Sequence, residues 1–421
     1  MTQPSPAFHL IVFGATSFVG RILTRYLATT YGVGGELKWA IAGRSEARLQ
    51  QVRRELADSL HGSTSGLPIL LADAASDEQL RALCDQTRAI VSTVGPYALY
   101  GEPLLRACAE SGTDYCDLTG EPQWIRRMIE HYEDAARISG ARLVHCCGFD
   151  SVPSDMGVYF LQEEAIRRFG KPATQVHMRV KTAKGGLSGG TIASMLQLVR
   201  DMMADPSLRR RLADPYVLCP PHHGFRARQH HQKGVAKDTD LLSWSAPFIM
   251  AAINTRVVHR SNALRNSHYS DNFRYDEAML TGRGIRGWLT GAALVTAMGV
   301  LLLGAALRPT RWLLEHYLLP APGEGPTPQQ QQKGCFDIRF IGRTADNRTL
   351  VTRVSGDRDP GYGSTAKILG EAIVSLACDC CDEQGNKTGR GGGFWTPASL
   401  FDEGFITRLQ RNAGVQFEVL G

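Results

Sequence analysis

The sequence lacks the features that identify a secreted protein or a nucleic-acid-binding protein. Its first residues form neither a basic nor an apolar segment, so we expect no signal peptide. The 10 cysteines are spread along a long chain without such a signal, which predicts reduced thiols in a cytoplasmic compartment. The net charge of +6 is too small an excess to predict binding to nucleic acid. No internal repeat is evident.

Recognisable metal and acid–base motifs are also missing. One candidate zinc site has a spacing that matches no standard zinc motif; its residues are Cys219, His223, His230 and His231. We therefore predict no metal, and expect a solvated loop in this region. No Ser-Tyr-x-x-x-Lys triad of the dehydrogenase type occurs, so any proton donor must lie elsewhere.

The stretch that organises the chain is residues 9–20. An apolar run ends at Gly14, and a helical pattern begins at Phe18, so the glycines at 14 and 20 flank a strand-to-helix turn. Such a turn brings backbone N–H groups and a helix N-terminus to a pyrophosphate. Ser17 replaces the usual middle glycine. The alternative is an ordinary turn that binds nothing. The residues that we predict to contact the pyrophosphate are Gly14, Thr16, Ser17, Phe18 and Val19.

The end of the second predicted strand indicates which dinucleotide is bound. In this fold the position faces the adenosine ribose, and an acidic residue there would bind a free 2′-hydroxyl. Arg44 and Ser45 stand there instead, and a guanidinium and a hydroxyl suit a 2′-phosphate. We therefore predict NADP(H) rather than NAD(H).

Strands and helices continue to alternate up to residue 146, which predicts an α/β fold with a doubly wound parallel sheet. Ligands bind at the carboxyl ends of such strands. Asp73 is placed to approach the adenine, and Thr93, Gly95 and Pro96 to pass beneath the nicotinamide half. Tyr97 is the candidate catalytic proton donor by position.

Two acidic residues near the predicted fifth strand leave two interpretations open. Asp117 and Glu121 form an acid pair, or Asp117 caps a turn while Glu121 begins a helix.

The pattern changes after residue 172, so we predict an NADP-binding domain at 1–172 and an α+β substrate domain at 173–421. Antiparallel strands are expected at 335–341 and 349–354. A hydrophobic helical insertion is expected at about 284–325.

The insertion contains an uncharged run at 288–307, long enough to cross a bilayer as a helix. A crossing would separate residues 335–421 from the first domain. We therefore predict that this run and the apolar stretch Trp312–Leu319 dock together on a membrane surface, through residues 288–319. Burial in the core or in a homodimer interface is the alternative.

Five motifs occur in one order along the chain: Gly14-Ala-Thr-Ser-Phe-Val-Gly20, Ala42-Gly43-Arg44, Gly95-Pro96-Tyr97, Tyr115-Cys-Asp-Leu-Thr-Gly-Glu121 and Gly148-Phe-Asp-Ser-Val-Pro-Ser154. Together they resemble the saccharopine dehydrogenase-like oxidoreductases, and within them the bacterial trans-acting enoyl reductases. The resemblance is dense over residues 8–200. It implies a Rossmann domain, NADP(H) and hydride transfer.

The resemblance leaves the substrate open. The enoyl reductase branch implies a lipid or polyketide acyl substrate, which we expect here. The alternatives are a saccharopine-type amino-acid adduct, gripped by arginines that we cannot match in this sequence, and an NADP-binding sensor or scaffold without catalysis.

Overall fold

The computed structural model describes residues 6–60, 66–185, 189–306, 326–382 and 385–420. These residues form two compact units. One contains the described residues up to Gly148 together with Tyr362–Ala413, and the other contains Phe149 to Gly361 and the C-terminal residues from Gly414. We call them the first and second units.

A seven-stranded parallel sheet forms the centre of the first unit, in the order β13-β6-β5-β4-β1-β2-β3. Six of these strands follow the Rossmann order 3-2-1-4-5-6, which confirms the predicted fold. The strands are β1 (Phe8–Phe13), β2 (Trp39–Gly43), β3 (Ile69–Leu71), β4 (Thr87–Ser92), β5 (Asp114–Asp117), β6 (Arg142–Val144) and β13 (Gly393–Trp395).

The helices of the first unit include several whose bounds match the sequence pattern. The helices are α1 (Phe18–Tyr31), α2 (Glu46–Ser59), α3 (Asp77–Cys84), α4 (Tyr97–Tyr100), α5 (Glu102–Ser111), α6 (Pro122–Ser139), α13 (Thr365–Val374), α14 (Pro397–Leu400) and α15 (Glu403–Arg408). Ser76 caps α3, because its side chain accepts a hydrogen bond from the backbone N–H of Gln79. Helix α13 is flanked by π-helical turns at Pro360–Ser364 and Ser375–Asp379.

The second unit is built on a mixed sheet in the order β14-β12-β11-β7-β10-β9-β8. Only β7 and β10 pair in parallel; the other neighbours are antiparallel, including the predicted pair β11 and β12. The strands are β7 (Ala173–Lys184), β8 (Ala236–Asp238), β9 (Ser243–Pro247), β10 (Arg274–Gly282), β11 (Cys335–Thr344), β12 (Thr349–Gly356) and β14 (Val415–Leu420).

The helices of the second unit are α7 (Val152–Phe169), α8 (Gly189–Ala204), α9 (Pro206–Ala213), α10 (Ala251–Leu264), α11 (Gly284–Ala306) and α12 (Pro328–Lys333). Helix α7 begins at Val152 and has Pro153 in its first turn, where proline is tolerated. Asp155 lies inside the helix and accepts a hydrogen bond of 2.6 Å from Ser261.

The compact units divide the chain differently from the predicted boundary at residue 172. The chain enters the second unit at Phe149, so α7 belongs with the mixed sheet. It returns at Tyr362, because β13 pairs in parallel with β6 and α13 packs against α1. The predicted insertion corresponds to α11 as far as residue 306; the remainder, including Trp312–Leu319, lies outside the described residues.

Candidate functional site

The turn between β1 and α1 is held by two glycines that leave no space for a side chain. Gly14 has a φ of +85°, and a Cβ there would lie 2.6 Å from Cγ2 of Val94. A Cβ at Gly20 would lie 2.3 Å from the carbonyl oxygen of Gly14. Gly14 is tied to the next strand, since its N–H donates to the carbonyl of Ala42 at 3.0 Å. The turn therefore has the close backbone approach that a pyrophosphate requires.

Ser17 stabilises this turn in the position of the missing glycine. Its hydroxyl caps α1 by accepting from the N–H of Gly20 at 2.9 Å, and it donates to the hydroxyl of Thr93 at 3.0 Å. Thr93 donates in turn to the carbonyl of Gly14 at 2.9 Å. Ser17 and Thr93 thus hold the loop in shape, and their predicted contacts with the cofactor remain predictions. Thr16, Phe18 and Val19 are half-buried at the same turn.

Two polar side chains at the end of β2 make no hydrogen bond or ion pair with the other residues that the structure describes. Arg44 is exposed and forms no hydrogen bond or ion pair within the described part of the chain. Ser45 precedes α2 as its N-cap residue, but its hydroxyl makes no capping bond. A free guanidinium and a free hydroxyl beside a helix N-terminus form a suitable environment for a phosphate.

Asp73 follows β3, the next strand along the same edge. Its carboxylate accepts from the N–H of Ala75 at 3.0 Å, and its own N–H donates to Gln79 at 2.8 Å. The side chain is half-buried. Asp73 therefore shapes the turn before α3, and its predicted approach to an adenine remains a prediction.

Tyr97, the predicted proton donor, is buried with its hydroxyl fully engaged. The hydroxyl donates to the carbonyl of Ser92 at 2.8 Å and accepts from the N–H of Leu118 at 3.4 Å. The ring packs on Trp124 at a centroid distance of 5.5 Å. Burial, reinforced by the nearby Asp117 carboxylate, raises the pKa of Tyr97 well above its usual value. This geometry favours a role in positioning the Gly95-Pro96 loop over proton donation.

Glu121 fixes the same loop from another direction. Its carboxylate accepts from the N–H groups of Tyr97 and Ala98 at 3.0 and 2.8 Å, while its own backbone begins α6. Asp117 accepts from the N–H of Thr119 at 3.0 Å. Of the two interpretations, the structure supports a turn cap and a helix start rather than an acid pair.

His145 follows β6 at the carboxyl edge of the parallel sheet, and the sequence pattern did not indicate it as a functional residue. Its Nδ1 lies 2.8 Å from a carboxylate oxygen of Asp117, which also accepts from Tyr115 at 3.0 Å. The parallel register could have revealed it: Cys116 pairs with Val144, so the following residues are adjacent. His145 Nε2 is buried without a hydrogen-bond partner among the described residues.

The structure gives no metal-binding arrangement among the residues that it describes, since no group of three or more His, Cys, Asp or Glu side chains converges there. Cys219 is buried against Tyr216 and Phe225, so the loop expected to be solvated is partly packed. Burial raises the pKa of Cys378 to about 11 and that of Cys380 to about 12, as for inert thiols.

Comparison with known proteins identifies the family. A family model described as the saccharopine dehydrogenase NADP-binding domain matches residues 10–144. A Mycobacterium tuberculosis protein, provisionally named a trans-acting enoyl reductase, is 39% identical over 99% of both chains. A Mycobacterium bovis protein named trans-acting enoyl reductase is 33% identical over 99% of this chain and 98% of its own. The chain belongs to the saccharopine dehydrogenase-like oxidoreductases.

A solved structure agrees with this assignment at the level of the fold. Apo saccharopine dehydrogenase (L-Glu forming) from Saccharomyces cerevisiae superposes with a TM-score of 0.51 at 10% identity, covering 98% of this chain and 99% of that one. Identity this low shows a shared fold only.

The cofactor of the family fits the residues at the carboxyl edge of the parallel sheet. The protein binds NADP(H) through its first unit. The glycine turn leaves room for backbone approach at Gly14 and Gly20. Arg44 and Ser45 supply a free cation and a free hydroxyl one strand away. The chain is thus an NADP-binding oxidoreductase of this family, and as such it acts on a small-molecule substrate.

Proposed function

We propose that the protein is an NADPH-dependent enoyl reductase that acts on a lipid or polyketide acyl substrate. The observation that carries the proposal is similarity over the full length of both chains to relatives named trans-acting enoyl reductases. This similarity extends beyond residues 10–144, which the family model matches, and therefore includes the second unit. We expect the substrate to be selected there. The glycine turn and Arg44 support the cofactor half of the proposal.

The protein's own residues would hold the cofactor and keep water from it. When bound, NADPH would supply the hydride for reduction of an enoyl carbon–carbon double bond, and the matching proton would come ultimately from solvent. Gly14, Thr16, Ser17, Phe18 and Val19 would surround the pyrophosphate. Arg44 and Ser45 would bind the 2′-phosphate. Asp73 would approach the adenine. The nicotinamide half would lie above Thr93, Gly95 and Pro96.

Turnover with defined acyl substrates tests the reductase proposal. The protein is incubated with NADPH and enoyl thioesters of increasing chain length, and NADPH absorbance is followed. We expect consumption that requires the enoyl group and equals the saturated product formed. A saturated thioester of the same length is the control.

Two other results would replace the proposal. Reduction of NADP⁺ by saccharopine, with no enoyl turnover, would show an amino-acid adduct dehydrogenase. Tight NADPH binding without any turnover would support a sensor or scaffold.

An acyl substrate also makes a membrane a plausible partner. We propose that the protein is cytoplasmic and attaches to a membrane surface through its apolar helical insertion at 288–319, with a homodimer as the competing partner. The part of this insertion that the structure describes is α11. By length and composition its residues Gly284–Gly304 are apolar enough to cross a membrane.

A further inference from the structure

Helix α11 is apolar along its length and is only partly covered by β9, β10 and α8. Only 11% of the residues in its most apolar stretch are buried within the described protein. Ile285, Val300 and Leu303 are 70%, 65% and 69% exposed. A helix that is hydrophobic all round is stable when protein or lipid covers it. Contiguous apolar surface of this extent therefore indicates a partner.

The beginning of α11 is fastened to the second unit by two glycines. A Cβ at Gly287 would lie 2.2 Å from the carbonyl oxygen of Gly282, and one at Gly291 would lie 3.1 Å from Val235. These two glycines are buried, whereas no described residue after them in the helix is. After Gly291 the described side chains are half-buried or exposed, so this part of the helix is only partly covered. At about 1.5 Å per residue, residues 292–306 extend for roughly 22 Å.

The sheet of the second unit excludes a single crossing of a bilayer. Strand β10 ends two residues before α11 begins, and β11 follows the insertion. Both strands pair with β7, on its two sides. The chain must therefore leave and re-enter the same sheet on one side of any membrane.

The charges around the apolar run have one sign. Arg283 and Arg286 precede it, and Arg308 and Arg311 follow it in the sequence. No acidic residue occurs between Glu277 and Glu315. A second copy of this chain would bring like charges together at such an interface, whereas anionic headgroups would neutralise them.

We propose that α11 docks the protein on an anionic phospholipid surface as a monotopic insertion, with residues 292–306 entering one leaflet and Arg283 and Arg286 contacting the headgroups. The choice of lipid over a second copy rests in part on the acyl substrate proposed above. Vesicle binding, measured without cofactor or substrate, is independent of reductase activity.

Flotation with preformed vesicles tests the apolar contact. The full chain is mixed with vesicles of phosphatidylcholine, or of phosphatidylcholine and phosphatidylglycerol in equal parts. We expect flotation with the mixed vesicles, and at least about a tenfold lower partition coefficient for L302Q/L303Q. Leu302 and Leu303 are exposed, so the variant should fold normally. Ile138→Gln, which changes an exposed apolar residue in α6, should float like the wild type.

The arginines have a separate test. R283Q/R286Q should reduce binding to the mixed vesicles about tenfold, and should change binding to pure phosphatidylcholine little. The matched control R25Q/R54Q, which changes two exposed arginines of α1 and α2, should leave binding to both kinds of vesicle unchanged.

A tag placed after Gly421 should remain accessible to antibody outside the vesicles.

Three results would overturn the inference. One is wild-type protein that fails to float with either vesicle. Another is a tag that becomes protected, which would mean a crossing. The third is a dimer, measured by sedimentation, that dissociates in L302Q/L303Q while vesicles stay unbound.

Discussion

The two sheets each contain seven strands, but they bury charge in different places. In the parallel sheet Leu10, Ile11 and Val12 are fully buried, and charged residues occupy strand ends, such as Asp117 at the end of β5. In the mixed sheet Arg179 lies in the middle of β7 and bridges Asp238 and Asp276 at 2.5 Å each.

The difference separates the roles of the two sheets. A parallel sheet covered on both faces has polar groups available only at its edge, so its ligand site is made of turns and backbone. The mixed sheet depends on paired charges inside its strands for its own stability. Substitutions at the carboxyl edge of the first sheet should therefore affect cofactor binding. Substitutions of buried ion pairs should affect folding in either sheet, since Arg142 and Asp114 form such a pair at the amino ends of β6 and β5.

The largest effect is expected at Arg179. Arg179→Met leaves the buried carboxylate of Asp238 without a cation and that of Asp276 with His177 alone. Breaking such a buried pair costs about 3–5 kcal/mol. Urea unfolding followed by circular dichroism measures this loss. The control is Arg81→Met, which removes an ion pair with Glu110 whose arginine is 66% exposed, and should cost under about 1 kcal/mol. Equal costs for the two would contradict a structural role for the buried cluster.

Gly20→Ala should disable the cofactor turn. The new methyl group would displace the carbonyl of Gly14, at a cost of about 1–3 kcal/mol in stability. We expect NADPH affinity to fall more than the stability loss alone explains, as measured by fluorescence titration of folded protein. Gly66→Ala is the matched control, since its Cβ meets no atom within 4 Å. Unchanged affinity in Gly20→Ala would show that the turn does not hold the cofactor.

Glu277 predicts a pH dependence of folding that belongs to the second sheet. It is buried and accepts from Tyr275 at 2.7 Å and Asn254 at 3.0 Å. Burial raises its pKa from 4.5 to about 7, despite those hydrogen bonds. Between these values the folded state binds more protons than the unfolded state, so the free energy of unfolding falls as pH rises.

Glu277→Gln should remove this slope and stabilise the protein at pH 8 by about 2 kcal/mol. Unfolding at a series of pH values checks it, with the exposed Glu36→Gln as the control. A slope that persists in Glu277→Gln would assign the pH dependence to other groups.

The smallest effect is expected at Tyr97. Tyr97→Phe removes a hydroxyl that bonds to backbone groups of Ser92 and Leu118, so turnover should fall about tenfold or less, with the loss mainly in NADPH affinity. A fall in turnover of several orders of magnitude, with cofactor affinity unchanged, would restore Tyr97 as the proton donor. Steady-state kinetics at saturating NADPH distinguishes a loss of cofactor affinity from a loss of the catalytic step.

Local sequence was sufficient to predict much of the first unit. The strand-to-helix turn at residues 9–20 was predictable, because the apolar run and the flanking glycines are local features. Strand β13 was not predictable: it has three residues and joins the sheet beside β6, which lies far earlier in the chain. The bonding of Ser17 to Thr93 was not predictable either, because it depends on β1 and β4 being neighbours. The His145–Asp117 contact follows only once β5 and β6 are taken as adjacent parallel strands.

The central claim is that the carboxyl edge of the parallel sheet selects NADP(H) through Arg44. Titration of wild-type protein and Arg44→Ala with NADPH and with NADH, followed by fluorescence, tests it most directly. We expect the wild type to prefer NADPH, and Arg44→Ala to lose about tenfold or more in NADPH affinity with NADH affinity unchanged. Arg48→Ala, an exposed arginine of α2, should behave as the wild type. Equal affinities of the wild type for the two cofactors would contradict the claim.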